Sequence, residues 1–365
     1  MRLLRKTLSF AGIWLLAICA VTTSVSAASI TITPPKFEYN ANPGETIRGV
    51  VKLNNQGTDT LTLIPSIQDF VSSGETGQPS FVDASENNKA LSISNWINVN
   101  DNRITTINPN GNSEVPFTIT IPSDAEPGGH YGAIFFSPPA GNGQVSISER
   151  IGSLVLVRVS GEISEAGKLD RFDAYTPTLT EDQILETSSK FFFGSLPVTL
   201  AMRWENQGNV HFKPTGKIEI YNTFGMKVAP VGVKSVLNER GVETGKEIVD
   251  YIPVNNAQGN VLAKSFRTFL EKWEGEPYWF YNENGTKEIR HKGFPIGMYK
   301  AVLTLGSGED ATTATTHIFI LPWKEVGGGI VLLVILIFGF PRFRKWNNKR
   351  LEEKYRKKFN VKDTQ

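Results

Sequence analysis

Short runs of alternating or β-branched apolar residues, each broken by Gly, Pro, Asn or Asp, fill the chain between one apolar segment near its start and another near its end. No helical period lasts beyond about two turns, so the pattern is that of strands whose side chains face core and solvent in turn. The runs include Thr46 to Leu53, Thr60 to Ile64, Val115 to Ile121, Tyr131 to Phe136, Ser153 to Val159, Val198 to Trp204, Lys217 to Tyr221 and Met298 to Leu305. Strands at this spacing predict an all-β fold built of sandwiches.

The pattern also repeats. Pro127-Gly128-Gly129-His130-Tyr131-Gly132-Ala133 is echoed by Pro295-Ile296-Gly297-Met298-Tyr299-Lys300-Ala301, and Asn55-Gln56-Gly57 by Asn206-Gln207-Gly208. The order in each half is a strand, an Asn-Gln-Gly turn, and later a Tyr opening a strand. Two tandem immunoglobulin-like β-sandwiches are expected, at residues 29–163 and 168–322, with a linker at 164–167. Tyr131 and Tyr299 are expected to send their hydroxyls back to upstream backbone and fix a corner. Gly129 and Gly297 would allow the turn just before. Trp96 and Trp204 sit among alternating apolar residues and are expected in the cores.

The ends set the compartment. Arg2, Arg5 and Lys6 precede an apolar run from Leu8 to Val21 and the small-residue pattern Val25-Ser26-Ala27, which together read as a cleaved signal peptide over residues 1–28. The single cysteine, Cys19, lies inside it, so the mature chain has no disulfide and no Cys-ligated metal. Val326 to Phe340 carries no charge, and residues 323–341 read as one transmembrane helix. From Arg342 on, ten Lys or Arg face three Asp or Glu, so residues 342–365 form a basic cytoplasmic tail and the sandwiches lie outside. Setting aside these and the three N-terminal basic residues leaves 25 basic against 33 acidic residues, so the net charge of +2 hides a mildly acidic exterior. That gives no support to nucleic-acid binding, which needs a basic face on a folded domain, and no nucleic-acid partner is expected. Contact with lipid through the anchor and tail is expected.

No motif for chemistry appears. The four histidines are too scattered for a zinc site, and Asp170, Asp173, Glu181 and Asp182 lack calcium-loop spacing. No nucleophile elbow, Ser-x-x-Lys or phosphate loop is present. No cofactor, metal or catalytic residue is expected. The densest candidate is the aromatic group Trp273, Tyr278, Trp279, Phe280 and Tyr281, set among Glu271, Glu274, Glu276 and Glu283. Exposed, it would form a platform for a sugar or a protein; alternatively, it is a hairpin folding its rings onto the sandwich edge.

Pro34-Pro35, Asn42-Pro43-Gly44-Glu45, Asp69-Phe70, Asn95-Trp96-Ile97 and above all the run from Ile121 to Tyr131 (IPSDAEPGGHY) resemble the first domain of bacterial WxL-interacting surface proteins. Trp204-Glu205-Asn206-Gln207-Gly208-Asn209 and the second Pro-x-Gly-x-Tyr-x-Ala strand look like their second domain. The resemblance implies two immunoglobulin-like modules, one for peptidoglycan and one for host or partner proteins, acting with WxL-type proteins at the cell wall. The expectation is therefore a membrane-anchored, non-enzymatic surface protein that binds cell-wall glycan or another surface protein in adhesion or scaffolding. A chaperone-like assembly factor for exported proteins is the alternative, and an envelope hydrolase would need a carboxylate pair facing a cleft.

Overall fold

The computed structural model describes residues 30–83, 92–99, 104–139, 150–175, 178–179, 185–186, 189–238, 242–282, 284–293, 295–306 and 311–360. The expected signal peptide lies outside them. The chain forms two compact units: one of residues up to Val71 with Ser80–Ile163, the other of Ser72–Pro79 with the residues from Ser164 on. Each contains an immunoglobulin-like sandwich.

In the first unit the strands are β1 (Ile30–Thr33), β2 (Lys36–Ala41), β3 (Thr46–Asn55), β4 (Leu61–Ser73), β5 (Gln78–Val82), β6 (Ile97–Val99), β7 (Thr105–Ile107), β8 (Asn112–Thr120), β9 (Gly128–Ser137) and β10 (Ile151–Val159). They form one sheet of order β1-β3-β8-β6 and one of order β2-β10-β9-β4-β5, with β7 paired to β4. After pairing antiparallel with β3 as β1, the chain crosses at Pro34-Pro35 and pairs parallel with β10 as β2. Prolines suit that crossing because they remove N–H donors where no ladder needs them. Alternation puts Val51, Leu53, Phe117, Ile119, Phe136, Val155 and Val157 between the sheets. Burying one such side chain is worth about 1.5–3 kcal/mol.

The second unit contains β11 (Gly167–Tyr175), β12 (Thr178–Leu179), β13 (Leu185–Glu186), β14 (Phe192–Phe193), β15 (Val198–Asn206), β16 (Gly216–Asn222), β17 (Lys227–Val228), β18 (Gly232–Leu237), β19 (Glu243–Val249), β20 (Ile252–Val254), β21 (Phe266–Trp273), β22 (Glu276–Tyr281), β23 (Lys287–Lys292), β24 (Gly297–Leu305) and β25 (Thr312–Ile320). Gly167, expected in a linker, opens β11 instead. The sandwich pairs a β11-β15-β21 sheet with a β14-β25-β24-β16-β17 sheet, and β20 joins β16. Again one segment pairs antiparallel with the strand before the Asn-Gln-Gly turn, and the next pairs parallel with the last strand. The sequence echo is thus an echo of topology: both turns follow the equivalent strands β3 and β15, and both Tyr motifs open the equivalent strands β9 and β24.

The units differ in what joins equivalent strands. Between β8 and β9 the first sandwich needs only residues 121–127. Between β21 and β24 the second inserts the hairpin β22–β23, and between β17 and β20 the hairpin β18–β19; each is a two-stranded sheet of its own.

After Pro322 the chain runs as α-helix Trp323–Val334, one π-helical turn Ile335–Gly339 and α-helix Phe340–Asn360. Pro341 explains the π turn, since it offers no N–H to the preceding turn and its ring crowds the carbonyl four residues back. The helix is long and apolar enough to cross a membrane, with mean hydropathy 2.1 in its most apolar window. The helix continues past residue 341 into the basic segment.

Candidate functional site

The hairpin inserted before β24 begins and ends at glycines. Gly275 (φ +107°) and Gly293 (φ +134°) hold backbone shapes that side chains disfavour, and a Cβ on Gly275 would come within 2.6 Å of the Lys292 carbonyl oxygen. At the tip the Asn282 carbonyl accepts from the Gly285 N–H at 2.9 Å, and its Oδ1 accepts from the Thr286 N–H at 2.8 Å.

Register divides the hairpin into two faces, since residues opposite one another in an antiparallel pair point the same way. Pro277/His291, Trp279/Ile289 and Tyr281/Lys287 share one; Glu276/Lys292, Tyr278/Arg290 and Phe280/Glu288 share the other. Each face pairs rings with a cation. The Lys287 ammonium lies 3.8 Å from the Trp279 centroid and 5.9 Å from that of Tyr281, and the Arg290 guanidinium lies 3.5 Å from that of Phe280. Such stacking is worth about 0.5–1 kcal/mol when exposed. Arg290 also pairs with Glu288 at 2.6 Å and Lys292 with Glu276 at 3.5 Å. Tyr281 is 63% exposed and Tyr278 36%, while Trp279 and Phe280 are half-buried.

Trp273 does not belong to this group. It ends β21, is 2% exposed and packs edge-on against Tyr299 at 4.9 Å, inside the core. Composition clustered it with the hairpin rings; the β21 alternation places it with Phe269 on the core side.

The other singled-out residues serve the sandwiches. Trp96 is buried 4.4 Å from the His130 ring, between a short 3-10 turn, Ile93–Asn95, and the start of β6. Trp204 is buried against Phe212 at 5.6 Å. Burial raises the Tyr299 phenol, opposed by a hydrogen bond from the Ile296 N–H. In the first unit the positive φ belongs to Gly128 (+139°), not to Gly129. Gly129 is needed for room instead, since a Cβ there would collide with Tyr131 Oη. Gly297 holds φ +118° as expected of a turn residue. Asp170 pairs with Arg203 at 2.6 Å and Asp173 with Arg171 at 3.5 Å. Among the described residues no His, Cys, Asp or Glu group has metal-holding geometry.

Glu271, in the sequence only one of the acidic neighbours of the aromatic group, stands apart from them in the structure. It occupies a core-side position between Phe269 and Trp273, in a groove of about 510 Å³ lined also by Ser235, Asn256, Gln258 and Arg267. Burial pushes its carboxyl up to about 7, against a hydrogen bond from the Asn255 N–H at 2.8 Å. Between its ordinary value of 4.5 and 7 the folded chain holds a proton that the unfolded chain has released. The stability of the second sandwich is therefore expected to be full below that window and to fall as pH rises through it. Thermal unfolding across the window should show this for the wild type and not for Glu271→Gln; equal slopes would refute it.

No family model and no curated protein matches the chain. Among solved structures it is similar to a chaperone–tip adhesin complex of CFA/I fimbriae biogenesis, at 10% identity and TM-score 0.34, covering 79% of this chain and 99% of that one. It is also similar to the Salmonella enterica SafA pilin in complex with the SafB chaperone, at 10% identity and TM-score 0.32, covering 81% and 98%. The E. coli chaperone DraB follows at 9% identity and TM-score 0.30, covering 79% and 98%. Values this low leave function to the chain's own geometry.

Proposed function

We propose that the protein is a membrane-tethered, non-enzymatic binding module that holds an extended segment of another exported protein on its inserted hairpin. The observation that carries this is the difference between its two sandwiches. The fold closes the equivalent connection with residues 121–127 in the first unit, so the hairpin β22–β23 in the second is not a requirement of folding. Insertions on a rigid scaffold are where binding surfaces concentrate.

A polypeptide suits this hairpin better than a glycan does. Sugars stack on open ring faces, whereas Lys287 and Arg290 cover a face of Trp279 and of Phe280. Strand β23 pairs with β22 alone among the described residues, and an extended segment can add to such an edge with main-chain hydrogen bonds. Its charged side chains, Arg290 paired with Glu288 and Lys292 with Glu276, discourage pairing with a second copy of itself. In this reading the helix from Trp323 is the anchor, and the excess of Lys and Arg from Arg342 on supports sandwiches on the outer side. The resemblance to WxL-interacting proteins rests on residues that build the sandwich, and it supplies WxL-type surface proteins as the first partners to try.

The test is capture of exported proteins by the full chain in detergent, beside a variant with Glu276–Lys292 replaced by a short Gly-Ser link. Gly275 and Gly293 already lie close together, so the sandwich should stay folded while capture falls to background. Undiminished capture would overturn the proposal. A lasting scaffold and a chaperone-like holder then differ in release: a holder gives its client up to the client's own assembly partner.

A further inference from the structure

The end of the second sandwich from which the helix leaves is apolar at its surface. Phe191 (52% exposed), Phe192 (47%), Phe224 (83%), Met226 (59%), Ile296 (52%) and Met298 (40%) are large side chains that the fold does not cover. Register gathers them. Phe191 and Phe192 lie beside Phe319, with centroids 6.2 and 5.9 Å away, and Phe319 faces Met298 across the β24–β25 ladder. Thr223 Oγ1 donates to the Met298 carbonyl at 2.9 Å, fixing the turn that carries Phe224 and Met226 beside it. Ile296 directly precedes β24 at the same end.

The helix starts in contact with this surface. The Leu321 N–H donates to the Phe193 carbonyl at 2.9 Å, and the Trp323 ring lies 3.4 Å from where a Cβ of Gly194 would be. Trp323 is therefore held one or two residues from the Phe192 strand, and Phe319 is only four residues from it, within about 14 Å of chain. Tryptophan at the start of a spanning helix sits at headgroup level. Phe191 and Phe192 are held within a few residues of the start of the helix. An uncovered apolar patch of this kind marks an interaction surface, and the surface it cannot avoid is the bilayer itself.

We propose that this end of the second sandwich, led by Phe192, Phe224 and Met226, rests in the headgroup interface of the bilayer that the helix enters. The sandwich is then seated on the membrane rather than swinging from it. Lys190 and Lys324, both exposed, flank the patch where anionic headgroups would meet them. The inference rests on the reading of the helix as a membrane anchor.

The test places an environment-sensitive fluorophore at Phe224→Cys, Leu332→Cys or Val236→Cys, each in the full chain with Cys19→Ser, reconstituted in phosphatidylcholine–phosphatidylglycerol vesicles. The vesicles contain lipids with a nitroxide high on the acyl chain. Loss of emission at 224 and 332 but not at 236, on the hairpin β18–β19, is the expected result. Quenching at 332 without quenching at 224 would overturn the seating while leaving the anchor intact, and would turn attention to a protein partner for the patch. No quenching at 332 would remove the anchor and the seating together.

Discussion

Trp273→Ala is expected to destabilise the second sandwich by about 3–5 kcal/mol, the cost of emptying a large aromatic site in a packed core. The indole is 2% exposed, contacts Tyr299 and belongs to the core with Leu200, Ile220 and Leu303. Calorimetry of the full chain should show one transition lowered and the other, from the first sandwich, in place. A variant with native stability that had lost partner capture would return Trp273 to the binding surface. By contrast, Tyr281→Ala at 63% exposure removes little packing, so its stability should stay within about 0.5 kcal/mol of wild type.

The second large effect falls on the turns. Asn206 is 1% exposed; its Nδ2 donates to the Val210 and Val261 carbonyls at 2.8 and 3.0 Å, and its Oδ1 accepts from the Gly208 N–H at 2.9 Å. Asn55 repeats the device, donating to the Asp59 and Asn108 carbonyls at 2.7 and 3.1 Å and accepting from the Gly57 N–H at 2.9 Å. Alanine at either position removes these hydrogen bonds. The Val261 and Asn108 carbonyls and the Gly208 N–H keep backbone partners in Phe212, Gly111 and Ala166. That leaves the Val210 carbonyl in one turn, and the Asp59 carbonyl and Gly57 N–H in the other, to lose theirs, for a loss of about 1–3 kcal/mol. Denaturant unfolding should find Asn55→Ala acting on one transition and Asn206→Ala on the other. Aspartate at these sites keeps the acceptor but not the donor, so it should not restore stability. Losses below about 1 kcal/mol would mean that water takes the side chain's place.

The sandwich was legible because its causes are local. Alternation marks β3, β9, β15 and β24, and the paired Asn-Gln-Gly and Tyr motifs mark equivalent corners because each solves the same backbone problem twice. What stayed hidden depends on distance. Nothing in the spelling of Lys272-Trp273-Glu274 says that the indole turns inward while Tyr281 turns out; that follows from β21 pairing with β15. Gly129 was legible as a required glycine but for the wrong reason, since the need for room comes from the Tyr131 hydroxyl folding back on it. The pairing of Lys287 with Trp279 and Arg290 with Phe280 became visible only once the hairpin register was set. Glu271 is hidden for the same reason as Trp273, since its place beside Phe269 follows from the pairing of β21 with β15.

The most direct measurement of the central claim compares two ligand classes on the same pair of proteins. Full-length wild type and the Glu276–Lys292 replacement are immobilised in detergent and exposed to the exported-protein fraction and to purified cell-wall glycan. The expected result is capture of protein by the wild type, lost in the replacement, with glycan capture alike in both. Glycan capture that depends on the hairpin, or protein capture that does not, would contradict the account.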